Sequence, residues 1–151
     1  MSQPYLLDTN MVSYIVSGAS AAARAQLLRL EGKSAVYISA ISEAELRFGI
    51  AKGPKHPTRI AMMEHFLTKA TVLPWGHEEA VTYGELRASL QAAGSPLGAL
   101  DTLIAAHAVA IDAALVTHDK ALLKLKLANL DRKFQVVDWA TDLRPSRNDY
   151  V

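Results

Sequence analysis

The sequence contains no cysteine among its 151 residues. Disulfide bonds, thiolate zinc sites and cysteine nucleophiles are therefore excluded, and the absence is typical of a reducing compartment. An excess of charge of one sign is also lacking. The formal net charge is +1, so a nucleic-acid-binding surface would have to be a local patch.

Long hydrophobic runs are lacking too. The longest, residues 103–116, is interrupted by His107 and Asp112 and is too short to span a bilayer. The first residues carry no positive charge before Asp8, which excludes a typical signal peptide. We therefore expect a soluble cytoplasmic protein.

The composition is that of a folded chain, with half of the residues hydrophobic and about a fifth charged. This length is enough for one domain with a substantial core. We expect a single domain over residues 1–142, followed by a polar tail over 143–151.

Short apolar runs alternate with longer helical patterns, which predicts an α/β fold with a mainly parallel sheet. Strands are predicted at 5–7, 35–38, 71–73, 114–117 and 135–137. Helices are predicted at 10–17, 20–31, 58–70, 77–93 and 98–111, with a short one after Asp119. A further helix begins at Ser39 or Ser42 and reaches Lys52.

Asp8 and Asp119 each lie just beyond a predicted strand. Ligands of parallel α/β sheets bind at the carboxyl ends of the strands, so these two acids could meet there. For either residue alone, a local role as a helix cap or turn residue is the more common explanation.

Glu45 is predicted on the apolar stripe that Ile41, Ala44 and Phe48 form along one helix. A charge on a core-facing stripe is unfavourable unless it is paired or binds a metal. A structural alternative is equally compatible with the pattern. Ser42 and Glu45 have the spacing of a capping box, in which Glu45 would only stabilise the start of a helix.

Asp101 shares a helix face with Leu97, Ile104 and Ala108. It could simply complement the helix dipole, which is worth a few tenths to about 1 kcal/mol. That role does not require an apolar face, so the inward orientation favours a functional one.

The four acids together predict a divalent metal site. Carboxylates a few ångströms apart raise one another's pKa, and a hard cation relieves that repulsion. Mg²⁺ prefers oxygen ligands, lowers the pKa of bound water and polarises phosphoryl oxygens. The expected chemistry is phosphodiester hydrolysis by water, leaving 5′-phosphate and 3′-hydroxyl ends.

Other polar residues have weaker predictions. His107 lies in an apolar helix and is expected to be a core histidine, whereas His118 could contact substrate beside Asp119. Four basic residues could hold RNA phosphates near the acids, although a solvated surface is the simpler role for any one of them. They are Arg47, Lys52, Lys55 and Lys120.

Four segments resemble those of a known family. Residues 6–10 (LLDTN) are similar to the opening motif of PIN domains, and residues 39–49 (SAISEAELRFG) to the segment that carries a functional glutamate in VapC toxins. Residues 96–108 (PLGALDTLIAAHA) and 115–119 (LVTHD) resemble the segments of the third and fourth acids. The resemblance covers residues 4–140 in the same order and spacing.

The chain is thus identified as a member of the VapC toxins, which are PIN-domain ribonucleases. The resemblance implies a Rossmann-like αβα sandwich, Mg²⁺ or Mn²⁺ dependence and endoribonuclease activity on structured RNA such as tRNA. It also implies a homodimer, a VapB-like antitoxin, possible larger assemblies with it, and contact with DNA only through it. The alternative function is an inactive PIN fold that binds a partner or RNA.

The resemblance assigns Asp8, Glu45, Asp101 and Asp119 as metal ligands and catalytic residues, and so favours a site role for Glu45 over the capping box. At Asp119 the pattern departs from some relatives, which have asparagine there, with an acid and an aromatic residue a little later. Thr9, Asn10 and Thr117 could orient ligands, or could act only as caps and turn residues.

Overall fold

Five parallel strands form one sheet in the computed structural model, which describes residues 2–125 and 134–143. The sheet order is β3-β2-β1-β4-β5. The strands are β1 (Tyr5–Leu7), β2 (Val36–Ser39), β3 (Thr71–Leu73), β4 (Ala114–Val116) and β5 (Val136–Val137). The helices of the described residues are α1 (Thr9–Ser17), α2 (Ala21–Leu30), α3 (Ala40–Lys52), α4 (Pro57–Lys69), α5 (His77–Ala92), α6 (Ala99–Ala110) and α7 (Lys120–Leu123).

Each predicted strand and helix is present, with ends that coincide or differ by at most two residues. The predicted α/β class with a parallel sheet is confirmed. Of the predicted polar tail over 143–151, residues 144–151 lie outside the described residues, so the domain boundary at 142 remains a prediction. Within 2–125 and 134–143, no helix is long and apolar enough to cross a membrane.

Helices cover both faces of the sheet, and alternate strand residues point to opposite sides. Leu6 and Leu115 pack into a core with α5 and α6, whereas Leu7, Ile38 and Val116 pack into a second core with α1 and α4. Burying such a side chain contributes about 1.5–3 kcal/mol. Because both faces are covered, the strands are mostly apolar and do not alternate regularly with polar residues.

The direction of the chain across the sheet reverses beside β1. From β1 the chain proceeds through β2 to β3, and then crosses to the other side of β1 to form β4 and β5. The carboxyl ends of β1 and β4 therefore adjoin at a topological switch point. Crevices at such points are where open α/β sheets bind ligands.

The prediction that the apolar stripe of α3 is buried is wrong. Phe48 is 63% exposed and Ala44 is exposed, whereas the buried residues of this helix are Ser42 and Leu46. None of residues 47–52 is buried. Periodicity identified residues that share a face, but the fully buried residues of α3 lie in its first two turns and on a different face.

Candidate active site

The fold places all four predicted acids at the carboxyl edge of the sheet. Asp8 directly follows β1, and Asp119 lies three residues after β4. Glu45 lies in the second turn of α3, which begins where β2 ends. Asp101 lies in the first turn of α6, which leads into the amino end of β4 and therefore begins at the carboxyl edge.

Asp8 is a nearly buried carboxylate held by two hydrogen bonds. The Met11 amide donates to Oδ1 at 2.8 Å, which makes Asp8 the N-cap of α1, and the Thr117 hydroxyl donates to Oδ2. Burial raises the pKa of Asp8 to about 6, and the charges of Asp101 and Asp119 add to the rise. The two hydrogen bonds oppose it, because they stabilise the ionised form.

Thr117 connects the ends of the two strands at the switch point. Its hydroxyl donates to Asp8 and accepts a hydrogen bond from the Asp119 amide at 3.0 Å. Asp119 itself is exposed and caps α7, because its Oδ1 accepts from the amides of Ala121 and Leu122 at 2.8 and 3.2 Å. Both Asp8 and Asp119 therefore cap helices while they face the same crevice.

Glu45 makes its hydrogen bond to another element. The Thr9 hydroxyl donates to Oε1 at 2.6 Å and lies 3.1 Å from the Ser42 hydroxyl. The N-cap of α3 is Ser39, whose Oγ accepts from the Ile41 amide at 3.1 Å. The capping-box explanation is therefore wrong, because Ser42 is buried inside the helix.

Asp101 links Glu45 to the other acids electrostatically. Burial raises the pKa of Asp101, and the charges of Asp119 and Glu45 raise it further. Since Asp101 and Asp119 also raise the pKa of Asp8, the four carboxylates form one electrostatic cluster.

The acid cluster fits a hydrated ion better than a closed metal cage. Within the part of the chain that the structure describes, no three acidic or histidine side chains converge closely enough to hold one ion. Mg²⁺ does not require such a cage, since it retains several waters and is usually held by one or two carboxylates plus substrate phosphate. The donor set, which is made only of oxygen, suits Mg²⁺ or Mn²⁺.

A histidine–aspartate pair at the same edge was not predicted. His118 Nδ1 lies 2.7 Å from Asp138 Oδ2, and Oδ1 of Asp138 accepts from the Ala140 amide at 2.8 Å. Tyr14 packs edge-on against the His118 ring. Asp138 directly follows β5, so the rule that identified Asp8 could have found it. The next residue, Trp139, packs against Tyr5.

His107 is buried in the core, as predicted, but only one of its ring nitrogens is satisfied. Nδ1 lies 2.8 Å from Ser39 Oγ, whereas no hydrogen-bond partner of Nε2 is found among the described residues. The nearest carboxylate oxygen, Glu79 Oε1, is 3.7 Å away. Burial lowers the pKa of His107, so the neutral ring is favoured.

Two of the predicted phosphate-binding residues have local partners. Arg47 forms salt bridges of 3.2 Å with both Glu43 and Glu64. Lys55 donates to the carbonyls of Ile50 and Ala51, at the end of α3. Arg47 and Lys55 thus have partners on the protein surface, and phosphate binding by either remains a prediction.

Residues 5–128 match the PIN domain, and the chain belongs to this family. Among curated relatives it is similar to Ribonuclease VapC2 of Rickettsia felis, with 33% identity over 132 residues that cover 85% of this chain and 98% of the relative. It also resembles the tRNA(fMet)-specific endonuclease VapC of Shigella flexneri, with 30% identity over 76% of this chain and 86% of that protein.

A solved structure of the same group has a very similar fold. The crystal structure of VapBC2 from Rickettsia felis, bound to a DNA fragment from their promoter, superposes with a TM-score of 0.80 and 28% identity. The match covers 91% of this chain and 99% of that one. VapBC-1 from nontypeable Haemophilus influenzae gives a TM-score of 0.73 at 25% identity, over 91% and 98% of the two chains. The sequence-based identification as a VapC-type PIN domain is therefore confirmed.

Proposed function

We propose that this protein is a divalent-metal-dependent endoribonuclease and the toxin of a toxin–antitoxin pair. One observation supports the proposal above the others. Asp8, a carboxylate only 6% exposed, stands at the switch point of the sheet with its pKa raised to about 6 by burial and by neighbouring acids. Such a perturbed acid in a crevice is typical of a functional site. The similarity to VapC ribonucleases supports the reaction type.

The residues of this site would have two roles: the acids would bind the metal, and neighbouring hydroxyl groups would position the acids. Asp8, Glu45, Asp101 and Asp119 would together hold one or two hydrated Mg²⁺ or Mn²⁺ ions, which when bound lower the pKa of their water and polarise the phosphoryl oxygen. Thr9 fixes one oxygen of Glu45, and Thr117 fixes one oxygen of Asp8. These hydrogen bonds would hold the two carboxylates in a fixed position at the crevice.

The substrate we propose is a structured RNA, with tRNA as the first to test, because a relative is named a tRNA(fMet)-specific endonuclease. Purified protein with Mg²⁺ or Mn²⁺ should cleave at least one transcript in a panel of tRNAs and other structured RNAs. End analysis should find 5′-phosphate and 3′-hydroxyl products. We expect this activity in the cytoplasm, where these RNAs are.

Asp8→Asn and Asp101→Asn should each lower the cleavage rate by about 100-fold or more, since even residues behind the ligands commonly contribute 10- to 100-fold. The matched control is Asp112→Asn. Asp112 is exposed, lies between α6 and β4 at the opposite edge of the sheet, and has a φ of 53° that asparagine also adopts. If every RNA stays intact and Asp8→Asn behaves as the wild type does, the nuclease proposal is wrong.

The alternative is an inactive PIN fold that binds RNA or a protein partner. It is favoured by the finding that, within residues 2–125 and 134–143, no three acids converge on one point. An inactive site would bind no Mn²⁺ through these carboxylates. The Tm of the wild type would then not rise when Mn²⁺ is added, whereas an active site predicts a rise.

The partner we propose is a VapB-like antitoxin, which would lay an apolar helix on a groove between α1, α2 and α4. This groove has a volume of about 650 Å³ and a mostly apolar lining. Leu28 and Met62 on its walls are 64% and 41% exposed, and Glu31, His65 and Lys69 supply polar contacts. An amphipathic helix binds such grooves through its apolar face. Similar solved structures include VapBC2 from Rickettsia felis and VapBC-1 from nontypeable Haemophilus influenzae.

Leu28→Glu and Met62→Glu should each abolish binding of the antitoxin, because they place a charge in an apolar contact. They should leave metal-dependent RNA cleavage within about twofold, since the groove does not contain the acids. Val81→Glu, a substitution of an exposed residue on α5, is the control. Native mass spectrometry of toxin with antitoxin would measure binding and would also test the proposed homodimer. Unchanged antitoxin affinity in both groove variants would contradict this placement.

A further inference from the structure

The outer half of α3 carries an exposed aromatic ring in line with the acid cluster. Ile41, Glu45, Phe48 and Lys52 are separated by four, three and four residues, so they form one stripe along the helix. Glu45 is half-buried, while Phe48, one turn further on, is 63% exposed. Phe48 therefore presents an accessible aromatic ring one turn beyond Glu45.

A cation accompanies the ring. The Lys52 ammonium lies 5.0 Å from the centroid of the Phe48 ring. The other basic side chains of this region, Arg47 and Lys55, are held by acids and by helix carbonyls. The stripe therefore presents, in order from the acid cluster outward, a carboxylate, an aromatic face and a positive charge.

We infer that Phe48 and Lys52 bind the RNA substrate, with an unpaired base stacked on Phe48 and its backbone phosphate on Lys52. Surfaces for single-stranded nucleic acids combine these two features, because every base has a π-face and every nucleotide carries a phosphate. Charge complementarity favours RNA as the occupant, since a purely negative crevice would repel the backbone. The inference rests on the proposed ribonuclease function and narrows its substrates to RNA with an unpaired nucleotide beside the cleavage site.

Binding can be measured without cleavage. Fluorescence anisotropy in EDTA would compare a labelled ten-nucleotide single-stranded RNA with a blunt ten-base-pair duplex. Phe48→Leu keeps an apolar side chain but removes the ring, and should weaken single-strand binding by about tenfold while duplex binding changes less than about twofold. Phe48→Trp should restore the affinity. Val81→Ala, an exposed apolar control on α5, should bind as the wild type does.

Lys52→Gln supplies an independent readout. Removing one phosphate contact should reduce the slope of log affinity against log salt by about 0.7 for a single strand. A residue that served only helix stability would not change this slope. An unchanged slope would overturn the role of Lys52.

Cleavage assays separate the failure of this inference from the failure of the nuclease proposal. If the wild type cleaves RNA, Phe48→Leu should raise KM about tenfold and leave kcat within about twofold. Equal KM values would overturn the inference and leave the nuclease intact. If the wild type cleaves no RNA but shows the expected anisotropy pattern, the inference that Phe48 and Lys52 bind RNA is supported and the nuclease proposal is wrong.

Two further outcomes also overturn the inference. The first is a wild-type protein with no measurable affinity for the single strand. The second is a Phe48→Leu variant whose molar mass by light scattering falls from dimer to monomer together with its RNA affinity, because the ring would then belong to a contact between two copies of the chain.

Discussion

Asp8 combines two roles that have opposite effects on stability. As the N-cap of α1 it satisfies the Met11 amide, which is worth about 1 kcal/mol. As a buried acid beside Asp101 and Asp119 it is unfavourable when ionised. Its pKa rises from 3.8 in the reference state to about 6 in the fold, so the folded protein binds the proton more tightly than the unfolded chain.

This shift predicts the pH dependence of the metal-free protein. Protonation of Asp8 contributes most to stability below about pH 4, and this contribution is lost as the pH rises through about 6. For a pKa shift of this size, the free energy of unfolding that is lost is about 3 kcal/mol. Asp8→Asn should therefore be more stable than the wild type at pH 7.5, with a smaller difference at pH 5. Urea denaturation in EDTA at both pH values measures it, with Asp112→Asn as the control. A variant less stable at pH 7.5 would contradict the assigned cause.

The positions of single residues could be predicted where they follow from the backbone arrangement. They could not be predicted where they depend on which neighbouring elements cover a side chain. Asp8 and Asp119 could be placed at one edge because parallel strands share a direction. Phe48 was predicted inside because spacing identifies a face without showing what covers it. Thr9 and Thr117 could be predicted only as candidates for orienting ligands. Their partners could not be predicted, because Thr9 and Glu45 are 36 positions apart in sequence, Asp8 and Thr117 are 109 positions apart, and such hydrogen bonds depend on the finished fold.

Among the elements, α1 shows how a short helix is fixed at both ends. Its N-cap is Asp8 and its C-cap is Gly18, whose φ of 77° is a left-handed conformation that glycine adopts without strain. Arg24 on α2 then donates to the carbonyl of Ile15 at 2.8 and 3.0 Å and to that of Val16 at 3.1 Å. These bonds satisfy the last carbonyls of α1.

Arg24→Met should therefore lower the free energy of unfolding by about 1–2 kcal/mol, because it keeps the aliphatic stem and removes the donors. Arg29→Met, on the exposed side of the same helix, is the control and should change stability by less than about 0.5 kcal/mol. Urea denaturation with an unchanged m-value would measure both. Equal stability of the two variants would show that the carbonyls of α1 are satisfied without Arg24.

For the whole molecule, the element order predicted the class of fold but not the arrangement of its strands. Alternating apolar runs and helices require a parallel sheet, whereas the order β3-β2-β1-β4-β5 depends on which strands pair. The pairing of β1 with β4 joins residues more than 100 positions apart, and no local pattern encodes it. That pairing nevertheless brings Asp8 and Thr117 together.

Metal binding by the folded state should stabilise the whole molecule. A Mn²⁺ concentration 100 times the dissociation constant adds about 2.7 kcal/mol, which is about 5–10 °C in Tm for a chain of this length. Asp8→Asn and Asp101→Asn should lose this increase, and Asp112→Asn should keep it. Differential scanning calorimetry with and without Mn²⁺ measures the effect. No increase in the wild type would favour the inactive PIN fold.

The pairing of β1 with β4 also has a consequence for protein synthesis. Asp8 is synthesised more than 100 residues before the hydroxyl of Thr117 that holds it, and the fourth acid follows at Asp119. A nascent or prematurely terminated chain that stops before residue 117 lacks both of these groups. The site therefore stays incomplete until translation has passed the end of β4.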